Sequence, residues 1–139
     1  MILKDWRRTK KVSLYDYGQV GAGKIIEFIP HGKRSVTFPA SRRTEGLVTV
    51  TVCGDSLCDL GINDGDNLIC QTNIEKYEIK NGKLVIAQLP CLGLVVKFFF
   101  RYDDKIVLRS ANPRYEDLIF DSDLVTIKAI VIQSVKNWD

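Results

Sequence analysis

Ser56 stands in the stretch VTVCGDSLCDLGINDGD, residues 50 to 66, at the tip of a Gly-Asp-Ser turn between an apolar run and a Gly-Asp-rich loop. A serine hydroxyl attacks a carbonyl only when a neighbouring base takes its proton. The usual base, histidine, occurs once, as His31, far upstream in a polar segment. Carboxylates and lysines are left. A lysine serves only when neutral, and burial among apolar groups is what lowers its pKa from a free value of about 10.4. Lys97 has such surroundings: in GLVVKFFFR its same-face neighbours at strand spacing are Val95 and Phe99. Read singly, Lys97 also fits an edge-strand lysine whose stem packs on phenyl rings while its ammonium reaches water, and Gly-Asp-Ser also fits ordinary turn chemistry. Together the two residues suggest a Ser-Lys dyad.

The other chemistry-bearing residues read as structural. Cys53, Cys58, Cys70 and Cys91 form no CxxC pair and no His-bearing zinc spacing, so free, mostly buried thiols in a reducing compartment are expected and no metal site is. Asp64 and Asp66 flank Gly65 with too few oxygen ligands for a calcium loop, which points to turn formation. Asn112-Pro113 is expected to shape a turn with Tyr115 packed against it. Trp6 and Trp138, near the termini, fit either partner contacts or docking of the chain ends. No cofactor motif is present.

These residues must be positioned by strands. From Gly46 onward LVTVTVC alternates Val48, Val50 and Val52 with Thr49, Thr51 and Cys53, the period-two pattern of a strand with one buried face. Further strands are predicted at 67–71, 83–89, 93–101, 105–109 and 123–135, separated by turns such as NDGD, KNGK, YDDK and SANPRYED. YGQVGAGKIIEFIP reads as a small-residue turn followed by an apolar stretch that Pro30 ends, and residues 31–45 as polar loop. No window has helical spacing of apolar residues. The expected fold is mostly β: one compact domain of several short, mainly antiparallel strands behind a flexible N-terminal arm, with no internal repeat.

The chain has 139 residues, which is one domain's worth. No run of about 18 apolar residues is present to span a membrane, and the basic start MILKDWRRTKK is not followed by an apolar signal core, so a cytoplasmic location is expected. The net charge of +3 resides in the arm, where Lys4, Arg7, Arg8, Lys10 and Lys11 face Asp5 and Asp16. Such an arm could touch nucleic acid or an acidic partner, but a solvated, weakly ordered tail is the simpler expectation.

Taken in order, CGDSLCDLGINDGDNLIC, Lys97 in VVKFFFR, and LRSANPRYEDLIF resemble the self-cleaving serine peptidase domain of LexA, UmuD and the phage repressors. That family's pattern is Gly-Asp-Ser-Met, a Gly-Ile-x-Asp-Gly-Asp loop, a catalytic lysine on a later strand and a Ser-x-Asn-Pro-x-Tyr turn. This chain supplies Ser56, Gly61-Ile62, Asp64-Gly65-Asp66, Lys97, Ser110, Asn112-Pro113 and Tyr115. Leu57 replaces the usual Met, an exchange of similar volume and apolarity. The small-residue-Gly bond that the family cleaves in itself is matched by Ala22-Gly23 within GQVGAGK. The resemblance covers about residues 18 to 135. The GDSL esterases share the tetrapeptide, but they need a downstream Asp-x-x-His, and no histidine follows Ser56.

The resemblance implies a LexA and signal-peptidase-like β fold in two parts: an arm, residues 1–22, released by self-cleavage, and a peptidase and dimerisation domain, residues 23–139. It implies Ser56 as nucleophile, Lys97 as base and Ala22-Gly23 as the scissile bond. It further implies a homodimer acting in the DNA-damage (SOS) response, cleaved under stimulation by a RecA filament on single-stranded DNA. With no room in 22 residues for a helix-turn-helix, the layout is closest to UmuD, which would make an error-prone DNA polymerase subunit a partner and leave no direct DNA-binding domain in this chain. Two alternatives stay open: the C-terminal domain of a LexA-like or phage repressor, and a non-catalytic dimerisation module on the same fold. A signal-peptidase-like enzyme is disfavoured by the lack of a membrane anchor.

Overall fold

The computed structural model describes residues 8–21, 28–75 and 79–135. They form nine strands: β1 (Thr9–Val20), β2 (Gly32–Pro39), β3 (Leu47–Val52), β4 (Asn67–Gln71), β5 (Lys83–Leu89), β6 (Gly93–Tyr102), β7 (Lys105–Arg109), β8 (Leu118–Asp121) and β9 (Thr126–Val135). One sheet contains them all, in the order β2-β1-β3-β4-β9-β5-β6-β7-β8. Every neighbouring pair is antiparallel except β1 with β3, where Val20 lies opposite Val52. The mostly β, mainly antiparallel expectation is met, in one continuous sheet.

The strands that bury most side chains are among those read from the sequence, but the expectation of one buried face in β3 is corrected: Thr49 is as buried as the valines beside it, because the strand lies inside the sheet with both faces covered. In β3 Val48, Val50 and Val52 are buried, as are Leu68, Ile69 and Cys70 in β4 and Val85, Ile86 and Ala87 in β5. These residues fill two main clusters. The first unites Val20, the β3 valines, Leu57, Ile62, Leu68, Leu94 and Val96, and the second unites Val85, Ala87, Leu89, Phe99, Ile106, Leu108 and Val125. A smaller cluster of Leu14, Phe38, Leu47 and Ile69 closes the other end.

Three strands depart from the sequence reading. Residues 9–20, read as part of a basic arm, form β1; residues 32–39, read as loop, form β2; and residues 118–121 form the edge strand β8. The reason is physical. β1 fully buries only Leu14 and Val20, and β2 only Phe38, so the apolar alternation is too thin to mark either segment. The pair is held by its ladder, eight residues of β1 facing eight of β2 from Thr9–Pro39 to Asp16–Gly32. At the other end of the chain the strand expected from 123 begins at Thr126, because 122–124 make a single 3₁₀ turn.

Phe99, fully buried on β6, is packed in the second cluster. Its truncation would leave a cavity directly behind the segment that carries Lys97. Phe99→Ala is expected to lower the unfolding free energy by about 3–5 kcal/mol, read as a shift of the urea midpoint followed by circular dichroism.

Candidate functional site

A cleft of about 370 Å³ opens where β1, the turn after β3, β6 and the β7–β8 connection meet. Gly21, Cys53, Gly54, Asp55, Ser56, Val95, Val96, Lys97 and Tyr115 line it. The two residues expected to form a dyad, far apart in sequence, thus face one cavity.

The turn that presents Ser56 is fastened on both sides. Leu57 is completely buried in the first cluster, directly beneath the half-buried Ser56. Gly54 adopts a positive φ of 93°, a conformation that glycine takes without strain, and its N–H donates to Asp64 Oδ1 at 2.8 Å. Asn63 N–H donates to Asp66 Oδ2 at 2.8 Å, so the two aspartates of the INDGD loop brace turns. Leu57, which stands where the family has Met, belongs to the core, and its side chain anchors the turn there.

Lys97 lies on β6 opposite Val85 of β5. Strand alternation sets it on the face of Val95 and Phe99, and it is 8 % exposed. Desolvation pushes its pKa below the ordinary lysine value, while the nearby charge of Asp117 pulls part of the way back. Its Nζ sits 5.6 Å over the centre of the Tyr115 ring. No hydrogen bond joins Lys97 Nζ to Ser56 Oγ; catalytic contacts are commonly long until substrate closes a site.

The chain leading to Ala22-Gly23 enters the same cleft. Cys53 N–H donates to Val20 O at 2.8 Å, extending the parallel β1–β3 ladder to its end. Gly21 follows with φ 95°, and a Cβ there would lie 2.6 Å from Cys53 O. Ala22 and Gly23 themselves, like Trp6 and Trp138, lie outside the described residues.

Sequence reasoning missed most of the support. Asn112 does shape its turn, since its Oδ1 accepts from Arg114 N–H at 3.0 Å. It also reaches back to the turn that carries Ser56, as do Ser110 and Tyr115. Asp117, which acts on Lys97, is fixed by Arg109 at 2.9 Å. The motif spelled out these residues, but nothing in the sequence states that one turn bonds the other. His31, set aside as a base, packs beside Gly18, where an added Cβ would lie 3.0 Å from its ring, and does not line the cleft.

An all-β domain whose serine, lysine and incoming strand end share one cleft has the layout of a serine peptidase fold. The sequence matches the family described as Peptidase S24-like over residues 14–132, and the chain belongs to that family. Curated relatives agree. The LexA repressor of Acidiphilium cryptum is 30% identical over 128 residues, which are 91% of this chain and 54% of that protein. That of Pelagibacter ubique is 29% identical over 122 residues, 87% of this chain and 53% of the relative. That of Paramagnetospirillum magneticum is 29% identical over 128 residues, 91% and 53%. The chain therefore spans about half the length of the relatives it matches.

Gly21 supplies a direct test of the docked strand end. A side chain at this φ is strained and also meets the Cys53 carbonyl, so Gly21→Ala is expected to cost more than about 1 kcal/mol. The Cys53 amide should exchange with deuterium markedly faster, measured by NMR, because the bond to Val20 O is pulled apart.

Proposed function

We propose that this chain is a self-cleaving serine peptidase domain that cuts its own Ala22-Gly23 bond. The observation that carries the reading is the cleft itself, in which Gly21, the neighbour of Ala22, lies with Ser56 and Lys97.

In the proposed reaction neutral Lys97 takes the Ser56 proton and Ser56 Oγ bonds to the Ala22 carbonyl carbon. The resulting oxyanion is met by backbone N–H groups. Cys53 N–H is engaged by Val20 O and Gly54 N–H by Asp64, which leaves the Asp55 and Ser56 N–H groups, unbonded among the described residues, as the donors. The C–N bond then breaks, and the Lys97 proton goes to the leaving Gly23 amine. Water, deprotonated by the same lysine, adds to the Ser56 ester; the bond from the acyl carbon to Ser56 Oγ breaks, Lys97 returns the proton to Oγ, and the Ala22 carboxylate is released. The lowered pKa of Lys97 supports its part, because only the unprotonated amine can act.

Further assignments extend this reading. The names of the relatives support a repressor-type regulatory domain; a UmuD-like polymerase accessory is the other reading within the same family. Homodimerisation and stimulation by a RecA filament on single-stranded DNA complete the proposal, with the filament raising the population of the docked state. Adding that filament at neutral pH should increase the cleavage rate; no increase would remove RecA from the proposal and leave self-cleavage standing. Retained activity in Ser56→Ala would instead favour another nucleophile, and absence of any cut in the wild type the non-catalytic module.

Partner-free cleavage should rise about tenfold per pH unit and level off above the depressed Lys97 pKa. Ser56→Ala should abolish it, and Lys97→Arg should be inactive throughout, since guanidinium does not deprotonate in proteins. Intact-mass kinetics across neutral to alkaline buffers measure all three. A flat profile, or an active Lys97→Arg, would show that lysine is not the base.

A further inference from the structure

The segment from Ser110 to Tyr115 makes three hydrogen bonds to the turn that carries Ser56. Ser110 Oγ donates to the Ser56 carbonyl at 3.3 Å, Asn112 Nδ2 to the Asp55 carbonyl at 3.3 Å, and the Tyr115 hydroxyl to Asp55 Oδ1 at 2.7 Å. Asn112 Nδ2 also lies 3.6 Å from Cys58 Sγ, just past the nucleophile. Ser110 is 8 % exposed and Asn112 4 %. Their own turn is stiffened in the same way, with Ser110 Oγ accepting from Asn112 N–H at 3.1 Å. Two backbone carbonyls and one carboxylate of a single tight turn are thus held from one direction by one connection.

We propose that Ser110, Asn112 and Tyr115 are positioning residues, a clamp that fixes the Gly54-Asp55-Ser56 turn so that the serine hydroxyl faces Lys97. The proposal rests on the self-cleavage reading for its effect on rate, though the clamp itself is a matter of geometry. Across a trans peptide the carbonyl and the next residue's N–H point in opposite directions, so the Asp55 carbonyl drawn toward Asn112 turns the Ser56 N–H away from 110–115. The clamp therefore sets both the nucleophile and the Ser56 N–H, one of the donors for a developing oxyanion. Displacement of a reacting group by about 1 Å costs on the order of 100-fold in rate. The clamp acts on geometry and leaves the proton affinity of the base to its surroundings. The groups facing Lys97 are Tyr115 and Asp117 from the β7–β8 connection and Cys53 and Asp55 from the turn after β3. Tyr115→Phe keeps the ring over Lys97 and removes only the bond to Asp55.

The test uses the full chain. Tyr115→Phe and Asn112→Ala are each expected to lower the alkaline plateau of self-cleavage by about tenfold or more, with the midpoint of the pH profile unmoved. In plateau rate Asp55→Ala should match Tyr115→Phe, and Asp55→Asn, which keeps an acceptor, should recover most of that loss. A merely structural role would lower the melting temperature and leave the plateau of the folded fraction intact. Plateaus equal to wild type in folded Tyr115→Phe and Asn112→Ala, or a shifted midpoint with an unchanged plateau, would overturn the proposal. If the wild type makes no cut, the self-cleavage reading has failed, and amide exchange then decides the clamp. Faster exchange at residues 54–57 in the double variant Asn112→Ala, Tyr115→Phe supports it; unchanged exchange overturns it.

Discussion

The cleft depends on the burial of Leu57. A serine at the tip of an exposed turn would wander through several positions, and a cleft formed by four separate chain segments would have no fixed wall. Leu57 removes that freedom by inserting its whole side chain into the first core cluster, against residues from β3, β4 and β6. Burying such a side chain is worth about 1.5–3 kcal/mol, enough to offset the backbone ordering of one or two residues of the turn. The polar bonds from Asp64 on one side and from Ser110, Asn112 and Tyr115 on the other then decide the direction of the turn rather than its height above the core.

The same core sets the lysine. Lys97 belongs to a strand whose neighbours, Val96 toward one cluster and Phe99 toward the other, leave little room for water. An ammonium there is stabilised by the charge of Asp117 and the face of Tyr115 and destabilised by burial, and burial is the larger effect. A bond from Lys97 to a carboxylate would raise its pKa instead. Asp117 is kept from that role by its two-pronged contact with Arg109, so its influence on Lys97 is felt at a distance. Family membership and the chemistry of the cleft thus rest on different observations, the first on the length of sequence matched and the second on which side chains the sheet brings together.

β1 gives the molecule an unusual economy. It is an interior strand, antiparallel to β2 and parallel to β3, and it ends at the cleft. Its last hydrogen bond, from Cys53 to Val20, fixes the chain within one residue of Gly21. The ladder that builds the sheet therefore also delivers the segment before Ala22-Gly23 to Ser56. Under the self-cleavage reading, the residues N-terminal to the cut are part of the fold and not a separate tail.

What the sequence determined by itself follows from local rules. Alternating valines marked β3, turn residues bounded β4, β5 and β7 at the ends they have, and the absence of a usable histidine directed attention to Lys97. Each of those signals lies within a few residues, where side-chain period and turn chemistry act. β1 and β2 were not legible because their stability comes from pairing with each other and with β3, and a strand with one or two buried side chains leaves little apolar pattern. The same holds for the bonds from 110–115 to 55–56 and for the pairing of Arg109 with Asp117. Residue types made these contacts available, but only the tertiary structure, by folding distant segments of one sheet around a common cleft, decided which partners met.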